Sequence, residues 1–231
     1  MKKIGIIGGL GPESTVDYYK GIIETCRRYT SQTTNPEMVI YSADVYMLLK
    51  FMEEEKWERL TDWLVDRIDA LRRAGAEFAA IGSNTPHIVF DDVAQRSPLP
   101  LLSIIDETCR FAYAMNLKKI GLMGTRFTMQ SDFFQAVFHR KGMSLVVPHT
   151  DEIEWIHQKL MSEIELGVIK DSTRNGLLSI AKRLIDENAI EGLILGCTEL
   201  PMILDQDAYG IPFLNTTAIH IDSIVKYSID E

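Results

Sequence analysis

Apolar residues follow two alternating patterns along this chain. Short apolar runs, typical of buried parallel strands, are separated by longer stretches in which apolar residues recur every three or four positions, as in amphipathic helices. This alternation predicts parallel βαβ units and therefore an α/β fold. Strands are predicted at 3–7, 38–42, 77–82, 101–103, 118–123, 144–147, 192–196 and 212–214, and helices at 13–29, 56–74, 105–115, 130–141, 151–166, 172–188 and 216–229.

The pattern occurs twice. Residues 2–8 return almost unchanged as residues 118–124, which sets an offset of 116 residues. Gly82-Ser83 returns as Gly196-Cys197, and residues 99–102 return as residues 211–214. Three matches in the same order predict two pseudo-two-fold-related α/β domains with parallel-type sheets and the active site in the cleft between them. The N-terminal domain is predicted to comprise residues 1–103 plus 214–231, and the second domain residues 104–213.

Composition narrows the possible partners. With 231 residues and 46% apolar side chains, the chain is long enough to fill two α/β cores. Its net charge is −9 and no basic run exceeds two residues, which argues against a general nucleic-acid or anionic-membrane surface. No apolar run reaches the length of about 18 residues needed to span a membrane. We therefore expect no nucleic-acid partner and no membrane partner.

The cysteines indicate a reducing compartment. Cys26, Cys109 and Cys197 are too few and too dispersed for a disulfide framework, and no Cys/His cluster has zinc-ligand spacing. The first apolar run leads directly into glycines, so it is interpreted as a first strand and not as a signal peptide. A cytoplasmic protein without a bound metal is expected.

Ser83 and Cys197 are the leading candidates for chemistry. Each follows an apolar strand and precedes a predicted helix, so each lies at the carboxyl end of a strand, where open parallel sheets bind ligands. At a helix N-terminus the pKa of the Cys197 thiol is expected to be lowered, so that it can take and return a proton near neutrality. Burial as a small apolar residue is the alternative for Cys197, and helix capping is the alternative for Ser83.

Two further segments carry candidate ligand-binding groups. Residues 8–15 join the first strand to a helix through three glycines, either as a turn or as a backbone site for a substrate carboxylate. Their spacing does not match the dinucleotide-binding pattern. His87 could polarise the Ser83 hydroxyl or have a structural role, and no acid is in place to orient it for hydrolase chemistry. Thr216, Thr217 and His220 either approach the site or cap the last helix.

Taken together, these motifs resemble the cofactor-independent aspartate/glutamate racemase family, whose relatives include hydantoin racemase, maleate isomerase and arylmalonate decarboxylase. The resemblance extends over nearly the whole chain, and Gly196-Cys197-Thr198-Glu199 is its most specific part. The matching segments are residues 8–12, 14–15, 83–85 with His87, 124–125, 196–199 and 216–220.

The resemblance implies an amino-acid racemase, an isomerase that transfers a proton at Cα without pyridoxal phosphate, metal or any other cofactor. It further implies a homodimer and a small amino-acid substrate such as aspartate or glutamate. Cys197 would be one acid/base group, with the hydroxyl residue Ser83 on the opposite face. The implied substrate-binding residues are Gly9, Leu10, Gly11, Asn84, Thr85, Thr125, Thr198 and Glu199.

The chain departs from the family pattern at three places. Most aspartate racemases have cysteine at the position of Ser83, although racemases that favour L-aspartate or L-glutamate resemble this chain in having a hydroxyl residue there. The basic residues that hold the distal carboxylate in familiar aspartate racemases are also missing from residues 43–46 and 165–167. Arg126 or Lys50 could replace them, or both could be ordinary surface residues.

Two other functions are compatible with these motifs. A one-thiol decarboxylase or isomerase of the same superfamily needs only one proton donor, which Cys197 supplies. A ligand-binding protein with reduced turnover would result if Ser83 cannot act as a base. Exchange of the α-proton distinguishes a racemase from such a binding protein.

Overall fold

The first sheet is built around β1 (Ile4–Gly8), which is buried at every position. In the computed structural model, which describes residues 1–30 and 35–230, β1 pairs in parallel with β2 (Met38–Ser42) and β3 (Phe78–Ile81). β4 (Leu101–Leu102) extends the sheet beside β3, which gives the order β2-β1-β3-β4.

The second sheet has the same topology. β5 (Lys119–Met123) lies between β6 (Ser144–Val146) and β7 (Gly192–Leu195), and β8 (Phe213–Asn215) pairs with β7. All pairs are parallel and the order is β6-β5-β7-β8. The predicted α/β class, with two parallel sheets, is confirmed. The sequence repeat therefore corresponds to a repeat of strand order.

The helices mostly follow the predicted ranges, with three differences. The helix predicted at 130–141 begins only at Asp132, because Ser131 has extended backbone at φ −91° and ψ 156°, and a separate short helix at Arg126–Gln130 precedes it. The helix predicted at 151–166 ends at Ser162, and a 3-10 turn follows it. Two short helices, α2 (Val45–Glu53) and α4 (Phe90–Arg96), were not predicted, because they have only nine and seven residues and bury only two and one of them. The helices are α1 (Pro12–Thr30), α2 (Val45–Glu53), α3 (Trp57–Arg73), α4 (Phe90–Arg96), α5 (Ile104–Ala114), α6 (Arg126–Gln130), α7 (Asp132–His139), α8 (Thr150–Ser162), α9 (Asp171–Asn188) and α10 (Thr216–Ile229).

The chain divides into two compact units. Unit 1 comprises Met1–Glu107 with Thr217–Glu231, and unit 2 comprises Thr108–Thr216. In unit 1, α10 contributes Ile224 and Val225 to a core that also contains Tyr18 and Ile22 of α1. Burial of such side chains contributes roughly 1.5–3 kcal/mol each. The C-terminal helix is thus an integral part of the first unit.

The core of unit 2 lies between its sheet and the helices α8 and α9. Leu193 and Leu195 of β7 belong to the same buried cluster as Ile156 of α8 and Leu177 of α9. Cys197 lies in this cluster as well. Across residues 1–30 and 35–230, no helix combines the length and the apolar character that a membrane crossing requires.

Candidate active site

In unit 1, the glycine-rich turn after β1 is closed by its own helix. Gly9 has φ +77°, and a side chain there would bring its Cβ within 2.3 Å of the Ala43 carbonyl oxygen. Only glycine fits this position without strain. The Gly9 N–H donates to Thr15 Oγ1 at 2.8 Å, so it is already used within the turn. Leu10 and Gly11 are buried beside it. These contacts explain why the segment forms a turn. A role of Gly9, Leu10 and Gly11 in substrate binding stays a prediction.

The Ser83 segment reaches the same edge of the sheet. β3 is the neighbour of β1, and the Ser14 hydroxyl of the turn helix contacts the Gly11 and Gly82 carbonyl oxygens at 2.9 and 3.5 Å. Ser83 and Asn84 are buried, and a 3-10 helix, Thr85–Val89, follows them. The Ser83 hydroxyl makes no hydrogen bond to any of the described residues. No described residue is therefore placed to remove the Ser83 proton, and a catalytic role of this side chain stays a prediction.

Two buried histidines lie in this unit. His87 is stacked on Phe90 with ring centroids 4.8 Å apart, and neither of its ring nitrogens has a hydrogen-bond partner among the described residues. Burial lowers the pKa of His87 to about 4, against a smaller opposing effect of the Ser83 and Asn84 backbone. His220 contacts the Tyr18 hydroxyl at 2.7 Å and the Leu102 carbonyl oxygen at 3.2 Å.

Burial, followed by the effect of His87, lowers the pKa of His220 to about 3. Both imidazoles are therefore neutral at pH 7. A neutral imidazole with so low a pKa accepts a proton poorly, which gives little support to activation of Ser83 by His87. His220 lies inside α10 and does not cap it. Thr216 donates to the Leu195 carbonyl oxygen, and the buried Thr217 hydroxyl has no partner within residues 1–30 and 35–230.

In unit 2, Thr125 and Cys197 follow the two neighbouring strands β5 and β7. The strand ends lie so close that a Cβ on Gly124 would be 2.9 Å from the Gly196 carbonyl oxygen. Thr125 caps α6, because its hydroxyl accepts from the Thr128 N–H at 3.3 Å. The two candidates thus lie at the same edge of the sheet, and Thr125 also has a structural task.

Arg126 and Lys50, the two basic residues that could bind the distal carboxylate of a substrate, both lie at the surface. Arg126 forms an ion pair with Glu154 at 2.9 Å, and both side chains are partly exposed. Lys50 is exposed near the end of α2. Their predicted role in substrate binding is untested.

Cys197, Thr198 and Glu199 form one hydrogen-bonded group. The Cys197 thiol, 6% exposed, donates to Glu199 Oε2 at 3.2 Å, and the Thr198 hydroxyl donates to the same oxygen at 2.7 Å. Glu199 is also buried, and its other oxygen, Oε1, has no partner among the described residues. The thiol proton is thus directed at a carboxylate.

The predicted lowering of the Cys197 pKa was wrong. Burial first, and then the negative charges of Glu199 and Glu165, raise the pKa of this thiol well above its ordinary value. Only a three-residue 3-10 turn, Leu200–Met202, follows the motif, so the aligned peptide dipoles of a full helix are missing. In the free protein Cys197 is therefore a protonated thiol.

Glu165 completes the surroundings of Cys197. It lies in the 3-10 turn Ile164–Leu166, which ends at Gly167 in the left-handed conformation. Glu165 is partly buried, and burial, followed by the charge of Glu199, raises its pKa to about 7. In the sequence, residues 165–167 were notable only because they lack the basic residue that familiar aspartate racemases have there. Its approach to the thiol depends on how α8 and β7 pack, which local patterns do not encode.

The three side chains could also hold a cation. One ligand atom from each of Glu165, Cys197 and Glu199 lies within 4.8 Å of the other two, which is the one such group among the described residues. A thiolate with carboxylates is a donor set that Zn²⁺ accepts, whereas no metal was expected from the sequence. The group is negative once its protons are lost.

The relatives of this chain agree with the motifs. The family model described as Asp/Glu/Hydantoin racemase matches residues 7–224. The broad specificity amino-acid racemase RacX of Bacillus subtilis (strain 168) is 26% identical over 227 residues, covering 96% of each chain. PH1733, an aspartate racemase homologue from Pyrococcus horikoshii OT3, is 36% identical with a TM-score of 0.87, and the match covers 100% of both chains.

The fold is shared more widely. The aspartate racemase of Picrophilus torridus is 21% identical, with a TM-score of 0.77 over 99% of this chain and 94% of that one. These relatives are named as racemases or racemase homologues, which confirms the predicted isomerase class. The chain belongs to the Asp/Glu/hydantoin racemase family.

Proposed function

We propose that this protein interconverts the enantiomers of an amino acid by 1,1-proton transfer at Cα, with Cys197 and Ser83 as the two proton-transfer groups. The observation that carries the proposal is the buried Cys197 thiol, which donates to the Glu199 carboxylate at the carboxyl end of β7. Ser83 follows β3, which holds the same place in the other sheet. No pyridoxal phosphate takes part in the proposed reaction.

Cys197 needs help to act as a base, because its pKa is raised. Glu199 is hydrogen-bonded to the thiol and can accept its proton. The ammonium group of a bound amino acid would also favour the thiolate, because an opposite charge within about 4–6 Å lowers the pKa of an acid. Substrate binding is therefore part of the proposed activation. In the reverse direction the protonated thiol returns the proton to Cα.

Ser83 supplies the second group, with a hydroxyl that is a weaker base. General acid and base groups each contribute about 10²–10⁴-fold in rate. Because no described residue accepts the Ser83 proton, one direction of proton abstraction is expected to be slow. We further propose that the substrate is held by Gly9, Leu10, Gly11, Asn84, Thr85, Thr125, Thr198 and Glu199.

The test is α-proton exchange in D₂O combined with chiral chromatography. The enzyme is incubated with single enantiomers of a panel of acidic, neutral and basic amino acids. A racemase incorporates deuterium at Cα and produces the opposite enantiomer. Failure of every amino acid in the panel to exchange its α-proton would overturn the proposed function. Ligand-induced stabilisation without exchange would instead indicate a binding protein.

A second candidate is the one-thiol decarboxylase or isomerase. The absence of a hydrogen-bonded base at Ser83 among the described residues favours this reading, because these reactions use a single proton donor. The same incubations with a substituted malonate distinguish the two. Release of CO₂ that depends on Cys197, without racemisation of any amino acid, would favour the decarboxylase.

We also propose that the protein is a cytoplasmic homodimer. Phe111 and Met115, which lie one helical turn apart at α5 and just beyond its end, are 45% and 41% exposed. Exposed apolar side chains on one face are typical of an interface. Light scattering is expected to give a mass twice that of the 26.2 kDa chain, and Phe111→Asp is expected to reduce it to the monomer value. A wild-type protein of monomer mass would contradict the dimer.

A further inference from the structure

The carboxylates beside Cys197, Glu165 and Glu199, differ from the neighbouring acid Glu163 in having no basic partner among the described residues. Glu163, two residues before Glu165, contacts Lys159 at 2.7 Å, Lys170 at 3.1 Å and the Thr173 hydroxyl. The hydrogen bond from Lys159, followed by those from Thr173 and Lys170, lowers the pKa of Glu163 to about 2. Within residues 1–30 and 35–230, neither Glu165 nor Glu199 forms an ion pair.

Glu199 offers an unused buried acceptor. Its Oε2 atom takes the hydrogen bonds of Cys197 and Thr198, while Oε1 has no partner in the described part of the chain. Leaving a buried polar atom unpaired is unfavourable, so a partner for this oxygen stabilises the site. This unpaired oxygen belongs to a carboxylate that has an oxygen within 4.8 Å of a Glu165 oxygen, so it is suited to receive a donor that arrives with the ligand.

The nature of that donor follows from charge. Two carboxylates close to each other repel a third, so a substrate whose side chain ends in a carboxylate would bring like charges together. A positively charged group would instead be attracted to both. A divalent metal is an alternative cation, and a substrate ammonium is favoured here because the cluster adjoins the proposed proton-transfer thiol.

We propose that the Glu165–Glu199 pair receives a cationic side chain of the substrate, so that the enzyme prefers basic amino acids over acidic ones. This inference rests on the proposed racemase function and narrows its substrate class. It replaces the expectation of an acidic amino acid, for which no described basic residue lies at the cluster.

The test compares lysine with norleucine, in which a methyl group replaces the terminal ammonium. Deuterium exchange at Cα is measured for both, and for glutamate and glutamine, with EDTA present so that a metal cannot occupy the cluster. Hydrogen bonds to charged groups contribute about 1.5–3 kcal/mol, so kcat/KM for lysine should exceed that for norleucine about 10- to 100-fold. Glutamate should be the poorest of the four substrates.

Variants locate the effect. Glu165→Gln should reduce the lysine/norleucine ratio about tenfold or more. The ratio is the readout, because removing a charge that raises the pKa of Cys197 changes the exchange of both substrates alike. Asp186→Asn, which removes an exposed acid paired only with Lys182, is the matched control and should leave the ratio at its wild-type value.

The outcomes separate the two proposals. If no amino acid exchanges its α-proton, the racemase proposal fails, and thermal stabilisation by lysine relative to norleucine still tests the cation site. Equal exchange and equal stabilisation with lysine and norleucine would overturn the substrate preference while leaving the racemase intact. That result would mean that the cluster serves only the α-ammonium group. An unchanged ratio in Glu165→Gln would also overturn it.

Discussion

The two units share a strand order but differ in the chemistry at the strand ends. Ser83 follows β3 in a region that contains two buried, neutral histidines. Cys197 follows β7, which holds the equivalent place in the second sheet, and its neighbours are two carboxylates. The repeat therefore places equivalent candidates at equivalent strand ends, while side chains brought in by other elements decide what each can do.

The difference predicts unequal partners in proton transfer. On one side a thiol is hydrogen-bonded to a proton acceptor, and on the other a hydroxyl has none among the described residues. It also predicts opposite responses to pH, because one unit buries bases and the other buries acids. Each of the following experiments changes one side of this comparison.

Removing the thiol should have the largest effect. Cys197→Ala should reduce racemase turnover about 10³–10⁴-fold, at the upper end for an acid/base group, because Ser83 is a weak substitute. Chiral chromatography measures the rate. Cys109→Ala removes another buried cysteine of unit 2 and should retain nearly full activity. If Cys197→Ala keeps more than about a tenth of wild-type turnover, the thiol has no part in the mechanism.

Acid should weaken unit 1 through His87. The unfolded chain takes up a proton at this residue below pH 6.5, whereas the folded protein does so only near pH 4. Stability is therefore complete above pH 6.5 and falls as the pH decreases towards 4, by roughly 2–3 kcal/mol. His87→Phe preserves the ring stacking on Phe90 and should remove this part of the loss.

Urea unfolding at pH 7.5 and pH 5 measures the change for His87→Phe. His139→Gln, which replaces an exposed histidine, is the control and should unfold like the wild type at both pH values. If His87→Phe is as acid-sensitive as the wild type, His87 does not titrate on unfolding as expected.

Unit 2 should lose stability as the pH rises, because of Glu165. Its folded pKa is about 7 and its ordinary value is 4.5, so the unfolded chain loses this proton first as the pH rises. Stability falls between pH 4.5 and 7 and stays reduced above pH 7. Glu165→Gln should therefore stabilise the protein at pH 8 by about 1–3 kcal/mol and have little effect at pH 4.5. Asp186→Asn is the control, and a Glu165→Gln protein that is less stable at pH 8 would refute the raised pKa.

Adding a second thiol should make the two sides more alike. Ser83→Cys supplies a group whose ordinary pKa is nearer to neutrality than that of a hydroxyl, so turnover from the slower enantiomer should rise about tenfold. Ser144→Cys places a thiol at the exposed first residue of β6 and should leave both rates unchanged. Equal rates from both enantiomers in the wild type, unchanged by Ser83→Cys, would show that the hydroxyl is already an adequate base.

Much of this architecture could be predicted from the sequence, because periodicity is local. The ends of the strand at residues 38–42 and of the helix at Trp57–Arg73 were predicted to within one residue. The short helix α6 and its separation from α7 were missed, because they depend on the Thr125 cap and on the extended backbone of Ser131, which apolar spacing does not record.

The environment of Cys197 was predictable only in part. The motif itself contains Glu199, but the approach of Glu165 comes from a turn about 30 positions earlier and depends on tertiary packing. The expected direction of the Cys197 pKa shift was wrong for the same reason. A strand end followed by a polar motif predicts a site, whereas the charge around it depends on residues that the fold brings there.

Two-sided proton transfer is tested most directly by Ser83→Ala in D₂O, with each enantiomer of an accepted amino acid supplied separately. The enantiomer whose α-proton faces Cys197 should keep exchanging that proton, because the thiol exchanges its hydrogen with solvent. Exchange from the other enantiomer should fall about 100-fold or more, because its only base is gone. Equal exchange from both enantiomers in Ser83→Ala would contradict the division of labour between Ser83 and Cys197.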